Sequence, residues 1–134
     1  MYLQRNKWTT AKKQTFNGDK YDSGFEASVA QDLEFRRKAG EITRWERQVK
    51  IPLVVNGYLI ANYYIDFVVY YPNGTVEYVE AKGYATEVWR MKWKIFEALY
   101  SEKPDVKLTV IKQRNNFTLR KPKKLWLFQQ TVIY

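Results

Sequence analysis

The chain has 134 residues, 46% of them hydrophobic and 17% aromatic, with 23 Lys and Arg against 14 Asp and Glu, a formal net charge of +9. That length fits one domain over residues 1–134 with a sizeable core, and the apolar content is too rich for a disordered chain. With no Cys and no His, thiol nucleophiles, zinc–thiolate sites and imidazole bases are excluded, so any catalysis must use carboxylates, Lys, Tyr or a hard metal ion held through oxygen.

The positive excess favours a polyanionic partner, most simply nucleic acid. It is unevenly spread. Residues 1–20 carry five basic residues opposed only by Asp19, and residues 111–124 carry six with no acid. A basic N-terminal arm over about 1–15 and a basic C-terminal segment over about 112–124 follow from this. No apolar run approaches the roughly 20 residues that span a bilayer, and MYLQRNKWTTAKK lacks a secretory core. A cytoplasmic protein without membrane contact is expected.

In chain order, the first signal is Asn17-Gly18 between aromatic residues, which predicts a tight hairpin. Ser23 is a good helix cap. Phe25, Val29 and Leu33 then recur at helical spacing until Gly40, which predicts a helix from about 24 to 39. EITRWERQVKIPLVV reads as extended, Asn56-Gly57 as a second hairpin turn, and GYLIANYYIDFVVYY as a strand partnered by TVEYVEAKG. Thr86 caps a second helix, TEVWRMKWKIFEALYSEK, with Val88, Met91, Ile95 and Leu99 on one stripe thickened by Trp89, Trp93, Phe96 and Tyr100. Pro104 ends it. VKLTVIK then reads as a strand lying parallel in the same sheet after a crossover. LWLFQQTVIY fits a strand or a helix equally. The expected fold is α/β (α+β): a mixed sheet in αβββαβ order with helices on its faces.

Three charges interrupt the central strands: Asp66, Glu80 and Lys82. Alternation puts Glu80 and Lys82 on one face. The turn between the strands decides where Asp66 falls. A two-residue Asn73-Gly74 loop would set it opposite Ala81. Pro72-Asn73-Gly74 instead suits a three-residue loop with Gly in the left-handed position. That loop pairs Tyr71 with Thr75 and brings Asp66 against Glu80. Two carboxylates facing each other repel unless a cation lies between them. Lys82 partly supplies one, and Mg2+ would supply a better one. By alternation, Tyr64, Val68, Val76 and Tyr78 share this face, so the charges have apolar surroundings, costly unless they serve a purpose. Glu26 has two readings. It completes a capping box with Ser23, or it points from the first helical turn toward the carboxylates.

Glu26, Asp66 and Glu80-Ala81-Lys82 on an αβββαβ chain resemble the PD-(D/E)XK nuclease superfamily, whose core is restriction-endonuclease-like. The resemblance is to small phage-encoded endonucleases and Holliday-junction resolvases. It runs from S-x-x-E-A (Ser23 to Ala27) through V-E-x-K-G (Val79 to Gly83) to Thr86 and Trp89-x-x-Lys92, and it covers roughly residues 16 to 112. Ile65 stands where the name-giving Pro would precede Asp66. The resemblance implies a Mg2+-dependent DNA endonuclease, with Mn2+ as a substitute. Asp66, Glu80 and the Ala81 carbonyl would hold the metal, Glu26 would join directly or through water, and Lys82 would act on the attacking water and the developing phosphate charge. It also implies work in host-cell cytoplasm if the chain is phage-encoded.

Other residues offer contacts to DNA. Gln48 would bond a water or phosphate, or simply face solvent. Arg90, Lys92 and Lys94 on the second helix, with Lys112, Arg114, Arg120, Lys121, Lys123 and Lys124 beyond it, would meet the phosphate backbone, giving affinity without reading sequence. Trp8 and Trp45, in polar settings, would stack on bases or on a partner. A symmetric cut in two strands calls for a homodimer, whereas a monomer would nick. The rival reading from another class is a non-catalytic DNA-binding protein on the same fold. An RNase-H-type site would be built from acids alone and would leave Lys82 without a role.

Overall fold

The computed structural model describes residues 14–16, 19–21, 24–113 and 118–124. Trp8, Ser23, Arg114 and the final LWLFQQTVIY stretch lie outside them. Two short strands, β1 (Gln14–Phe16) and β2 (Asp19–Tyr21), pair antiparallel with Phe16 opposite Asp19; the expected Asn17-Gly18 turn itself lies outside the described residues. The first helix, α1, spans Gly24–Lys38. It ends as its glycine demands: Gly40 takes φ +80, its N–H donates to the Arg37 carbonyl, and the Glu41 N–H donates to the Arg36 carbonyl. This is a Schellman cap, which satisfies carbonyls that would otherwise be orphaned.

The main sheet contains β3 (Arg44–Val55), β4 (Tyr58–Tyr70), β5 (Val76–Lys82) and β6 (Val106–Lys112), in that spatial order. β3 pairs antiparallel with β4 and β4 with β5, and β6 joins β5 in parallel, as the crossover through α2 (Glu87–Tyr100) predicts. The β3–β4 turn is Asn56-Gly57, with both residues at positive φ (54 and 82). That is the backbone of a type I′ turn, whose twist matches the strands it joins. Thr86 caps α2 by accepting a hydrogen bond from the Trp89 N–H at 3.1 Å.

The helices lie on opposite faces of the sheet. α1 buries Val29, Ala30 and Leu33 against Ile42, Phe67, Val69 and Val79. α2 buries Trp89, Trp93 and Phe96 against Ile51, Leu53, Tyr63, Ile65 and Val68. Edge-on and stacked ring contacts link Tyr63, Tyr78, Trp93, Phe96 and Tyr100. The buried stripe of α2 is therefore its large aromatics. Val88 and Met91, expected along that stripe, point outward at 67% and 60% exposure. Trp and Phe remove more apolar surface per residue, so they determine which side of the helix faces the sheet.

One irregularity shapes everything around it. Along β4, Phe67 and Val69 belong to the α1 layer, yet Tyr63 and Ile65, of the same parity, belong to the α2 layer. Along β3, Trp45 packs with the α1 layer and Val49, Ile51 and Leu53 with the α2 layer. The exchange falls between Arg47↔Phe67 and Val49↔Ile65, and between these pairs sits Gln48, at φ +51. A left-handed residue inside a strand reverses the pleat, so the side-chain alternation changes phase while the register is kept. Strict alternation puts Tyr64 inside. The structure instead exposes Tyr64 (53%) and buries Tyr63 (3%). Tyr64→Ala should therefore change unfolding free energy by no more than about 0.5 kcal/mol, and Tyr63→Ala should cost about 3–5 kcal/mol, in urea titrations of both.

Candidate active site

The register that carries Asp66 follows from the β4–β5 turn. The Tyr71 N–H donates to the Thr75 carbonyl at 2.9 Å, the Gly74 N–H to the Tyr71 carbonyl at 3.0 Å, and Gly74 takes φ +91. This is the three-residue loop that Pro72-Asn73-Gly74 encodes. Pairing then runs from Tyr70↔Val76 to Phe67↔Val79. The ladder ends there, and the next residues on the two strands are Asp66 and Glu80. At that step the Asp66 carboxylate turns to accept the Ala81 N–H on Oδ2 at 2.9 Å.

Four elements meet here. Gln48 of β3 donates from Nε2 to Oδ1 of Asp66 and to Oε1 of Glu26 on α1, both at 3.1 Å. Glu26 is 6% exposed, so its side chain faces inward toward the sheet. The amide thus holds apart two carboxylates that would otherwise repel. The left-handed backbone of Gln48, which costs a non-glycine residue on the order of 1–2 kcal/mol, is what aims it there.

Glu80 is the most buried member, at 1% exposure. Its Oε1 accepts the Tyr63 hydroxyl at 2.6 Å, and that hydroxyl in turn accepts Trp89 Nε1–H from α2 at 3.2 Å. Its Oε2 has no hydrogen-bond partner; Lys82 Nζ stands 3.8 Å away. Lys82 also lies 5.0 Å above the Trp89 ring, a cation–π contact. Burial first, and the neighbouring Asp66 carboxylate second, push the Glu80 carboxyl up to about 9. The same burial, with the Glu80 charge beside it, pushes the Tyr63 phenol up, so it stays a donor. Tyr63 carries no site signal in the sequence, because parity places it on the other face; Trp89 enters only through the helix stripe and the Trp89-x-x-Lys92 motif, without an assigned role.

The outlying residues have these surroundings. Trp45 is half-buried: its indole N–H donates to Glu34 at 3.1 Å and its ring packs edge-on against Phe67. Lys92 donates to the Asn62 carbonyl at 3.3 Å and so ties α2 to the β3–β4 hairpin. The basic C-terminal segment, where it is described, is irregular and held against the fold. Residues 118–124 lie along α2, with Leu119 packed on the α2 core, the Thr118 carbonyl accepting from Arg90, and Lys124 paired with Glu102. Lys94, Arg120, Lys121 and Lys123 keep exposed side chains along that track, and Lys112 lies across from Lys82 in the β5–β6 register.

Another buried acid, Glu77, shows what a purely structural carboxylate looks like in this fold. Its two oxygens accept from Tyr71 and Thr109, with Lys107 at 3.7 Å. Glu80, by contrast, keeps one oxygen without a donor. Clefts of about 420 and 160 Å3 lie under residues 118–124 on α2, away from the carboxylates. Among the described residues no three acidic side chains come close enough to cage a metal by themselves.

The fold and site thus define an α/β protein with a mixed four-stranded sheet between two helices and a carboxylate–lysine cluster at the root of its long hairpin. The chain belongs to the family described as "Protein of unknown function (DUF1064)", which matches residues 5–118. No curated protein and no solved structure shows a significant match to it.

With no His or Cys in the chain, little else among its side chains titrates between pH 5 and 9. Glu80, raised from 4.5 to about 9, holds its proton in the folded state and loses it in the unfolded state across that window. The metal-free protein should therefore be most stable near pH 5 and lose stability steadily as pH rises toward 9. Thermal unfolding across this range should show that slope, and Glu80→Gln, neutral at every pH, should flatten it and be the more stable protein at pH 8.

Proposed function

We propose that this chain is a Mg2+-dependent DNA endonuclease that hydrolyses phosphodiester bonds, a PD-(D/E)XK nuclease with a restriction-endonuclease-like core, acting as a nicking or junction-resolving enzyme of phage type. The observation that carries this reading is the buried Glu80 with an unpartnered Oε2, held beside Asp66 and 3.8 Å from Lys82 Nζ. Such a group is costly in a fold that fully satisfies Glu77, unless a cation is bound there.

The donors present suit Mg2+. This ion takes hard oxygen ligands and favours one or two carboxylates completed by waters and substrate phosphate oxygens. Asp66, Glu80 and the Ala81 carbonyl would hold it, and a site of two carboxylates is compatible with the absence of a three-acid cage. When bound, the metal supplies charge neutralisation and a more acidic water.

The chain's own groups do the rest. Gln48 keeps Asp66 and Glu26 oriented, the Ala81 N–H pins the second oxygen of Asp66, and Tyr63 fixes the Glu80 carboxylate by its first oxygen. Lys82, seated between Glu80 and the Trp89 ring, places a positive charge where a scissile phosphate would gain negative charge during in-line attack. Lys94, Arg120, Lys121 and Lys123 offer phosphate contacts along α2.

Supercoiled plasmid and a panel of branched DNAs, incubated with Mg2+, would test this. Wild type should cut. Lys82→Ala and Asp66→Ala should each lower the rate at least a hundredfold while binding DNA as before. If both cut as well as wild type, the site assignment fails. If wild type binds DNA without cutting any substrate, the chain is a DNA-binding protein on this fold.

A further inference from the structure

The outer half of the β3–β4 hairpin has no neighbour in the sheet. β5 pairs with β4 only from Phe67 to Tyr70, whereas β3 and β4 stay paired out to Val55↔Tyr58. The side of this arm that bears Ile51, Leu53 and Tyr63 lies on α2. Among the described residues no other element covers its tip: Val54, Val55, Tyr58, Leu59 and Ile60 are between 42% and 73% exposed. Because Tyr58, Leu59 and Ile60 are consecutive, both surfaces of the tip are bare. Isolated exposed apolar residues are ordinary, but a contiguous apolar tip marks an interaction surface.

Charge decides what that surface meets. Residues 51–65 contain no Asp, Glu, Lys or Arg, in a chain of net charge +9. An arm reaching for a phosphate backbone would carry cations, so the polyanion belongs elsewhere on the molecule. The same gap in charge makes the tip a surface on which two copies of a strongly basic chain can meet without setting like charges face to face. We propose that the β3–β4 arm is a homodimer interface, with two copies mating tip to tip about a two-fold axis.

The arm suits self-association in other ways. An isologous contact needs one patch complementary to itself, and an uncharged apolar tip meets that requirement without a matching partner surface. Continuous strand addition along β3 is not the mode. Pro52 lacks an N–H to donate along the outward edge, and the β3–β4 register shifts between Leu53 and Val54. The copies must therefore pack through side chains. Because Gln48 and Asp66 stand at the root of the arm, pairing the tips would also hold two carboxylate sites in a fixed relation. The dimer does not depend on the nuclease reading and can fail or stand by itself.

Light scattering and sedimentation of the full chain over a range of concentrations would test it. The mass should rise with concentration to twice the 16.1 kDa of one chain. Association should tighten between about 0.15 and 0.5 M salt, because screening weakens repulsion between two basic chains and leaves apolar packing intact. The double substitution Leu59→Lys, Ile60→Lys should raise the dimer Kd by at least about tenfold, with the unfolding transition of the dilute monomer unchanged, since both side chains are exposed. The absence of Cys gives an independent readout. Leu59→Cys should form a disulfide-linked dimer on mild oxidation, and Phe35→Cys, on the exposed face of α1, should not. A wild type that is monomeric up to roughly 100 μM, or a dimer that survives the lysine substitutions, would overturn the proposal. So would a wild-type monomer whose Leu59→Lys, Ile60→Lys variant loses DNA binding, which would make the arm a nucleic-acid contact.

Discussion

The Asp66–Glu80 pair is the constraint around which the structure is arranged. Two carboxylates on adjacent antiparallel strands, one almost fully buried, repel each other and lose hydration. Each surrounding element relieves part of that strain. β3 supplies the Gln48 amide, β5 supplies the Ala81 N–H and Lys82, the arm supplies the Tyr63 hydroxyl, and α2 supplies Trp89 to orient the tyrosine. What stays unrelieved is a single oxygen of Glu80. A fold that satisfies Glu77 completely on its other face has the means to satisfy such a group, which is why the exception at Glu80 supports the proposed metal site.

That arrangement depends on a small departure in the backbone. Gln48 adopts φ +51 inside a strand that otherwise keeps its register. Reversal of the pleat there sends Trp45 and Phe67 to the α1 side and Val49 and Ile65 to the α2 side. The hairpin consequently wraps over α2 beyond this point, bringing Tyr63 under Glu80 and leaving a free tip. One strained residue thereby shapes both the carboxylate cluster and the protruding arm. Strain of this kind persists only where its surroundings hold it in place, here through two charge-assisted hydrogen bonds.

Charge is partitioned with equal clarity. The arm carries none, the cations of residues 118–124 lie along α2, and the acids of the site are gathered at the root of the hairpin. Part of the basic segment is held by the protein itself, through Leu119 in the α2 core, Thr118 with Arg90 and Lys124 with Glu102. Lys94, Arg120, Lys121 and Lys123 lie exposed along α2, while Arg36, Arg37 and Lys38 end α1 on the opposite face.

Much of this was legible in the residues. Turn chemistry is local, so Asn56-Gly57, Pro72-Asn73-Gly74 and Gly40 each specified their own backbone, and with the second of these the register that opposes Asp66 to Glu80. Absence of His and Cys likewise limits the chemistry to carboxylates, Lys, Tyr and hard cations. What alternation could not supply was the face on which each β4 tyrosine lies, because its period of two holds only while every residue stays extended. The left-handed Gln48 is a tertiary outcome, stabilised by Glu26 from a helix some 22 residues earlier in the chain. The inward stripe of α2 departs from the expected one for a related reason: helical periodicity allows two adjacent apolar faces, and only the depth of the cavity opposite selects Trp and Phe over Val and Met. Sequence alone therefore determined the elements, their turns and the opposed carboxylates. Tertiary packing decided which side chains surround those carboxylates and which part of the hairpin is left bare.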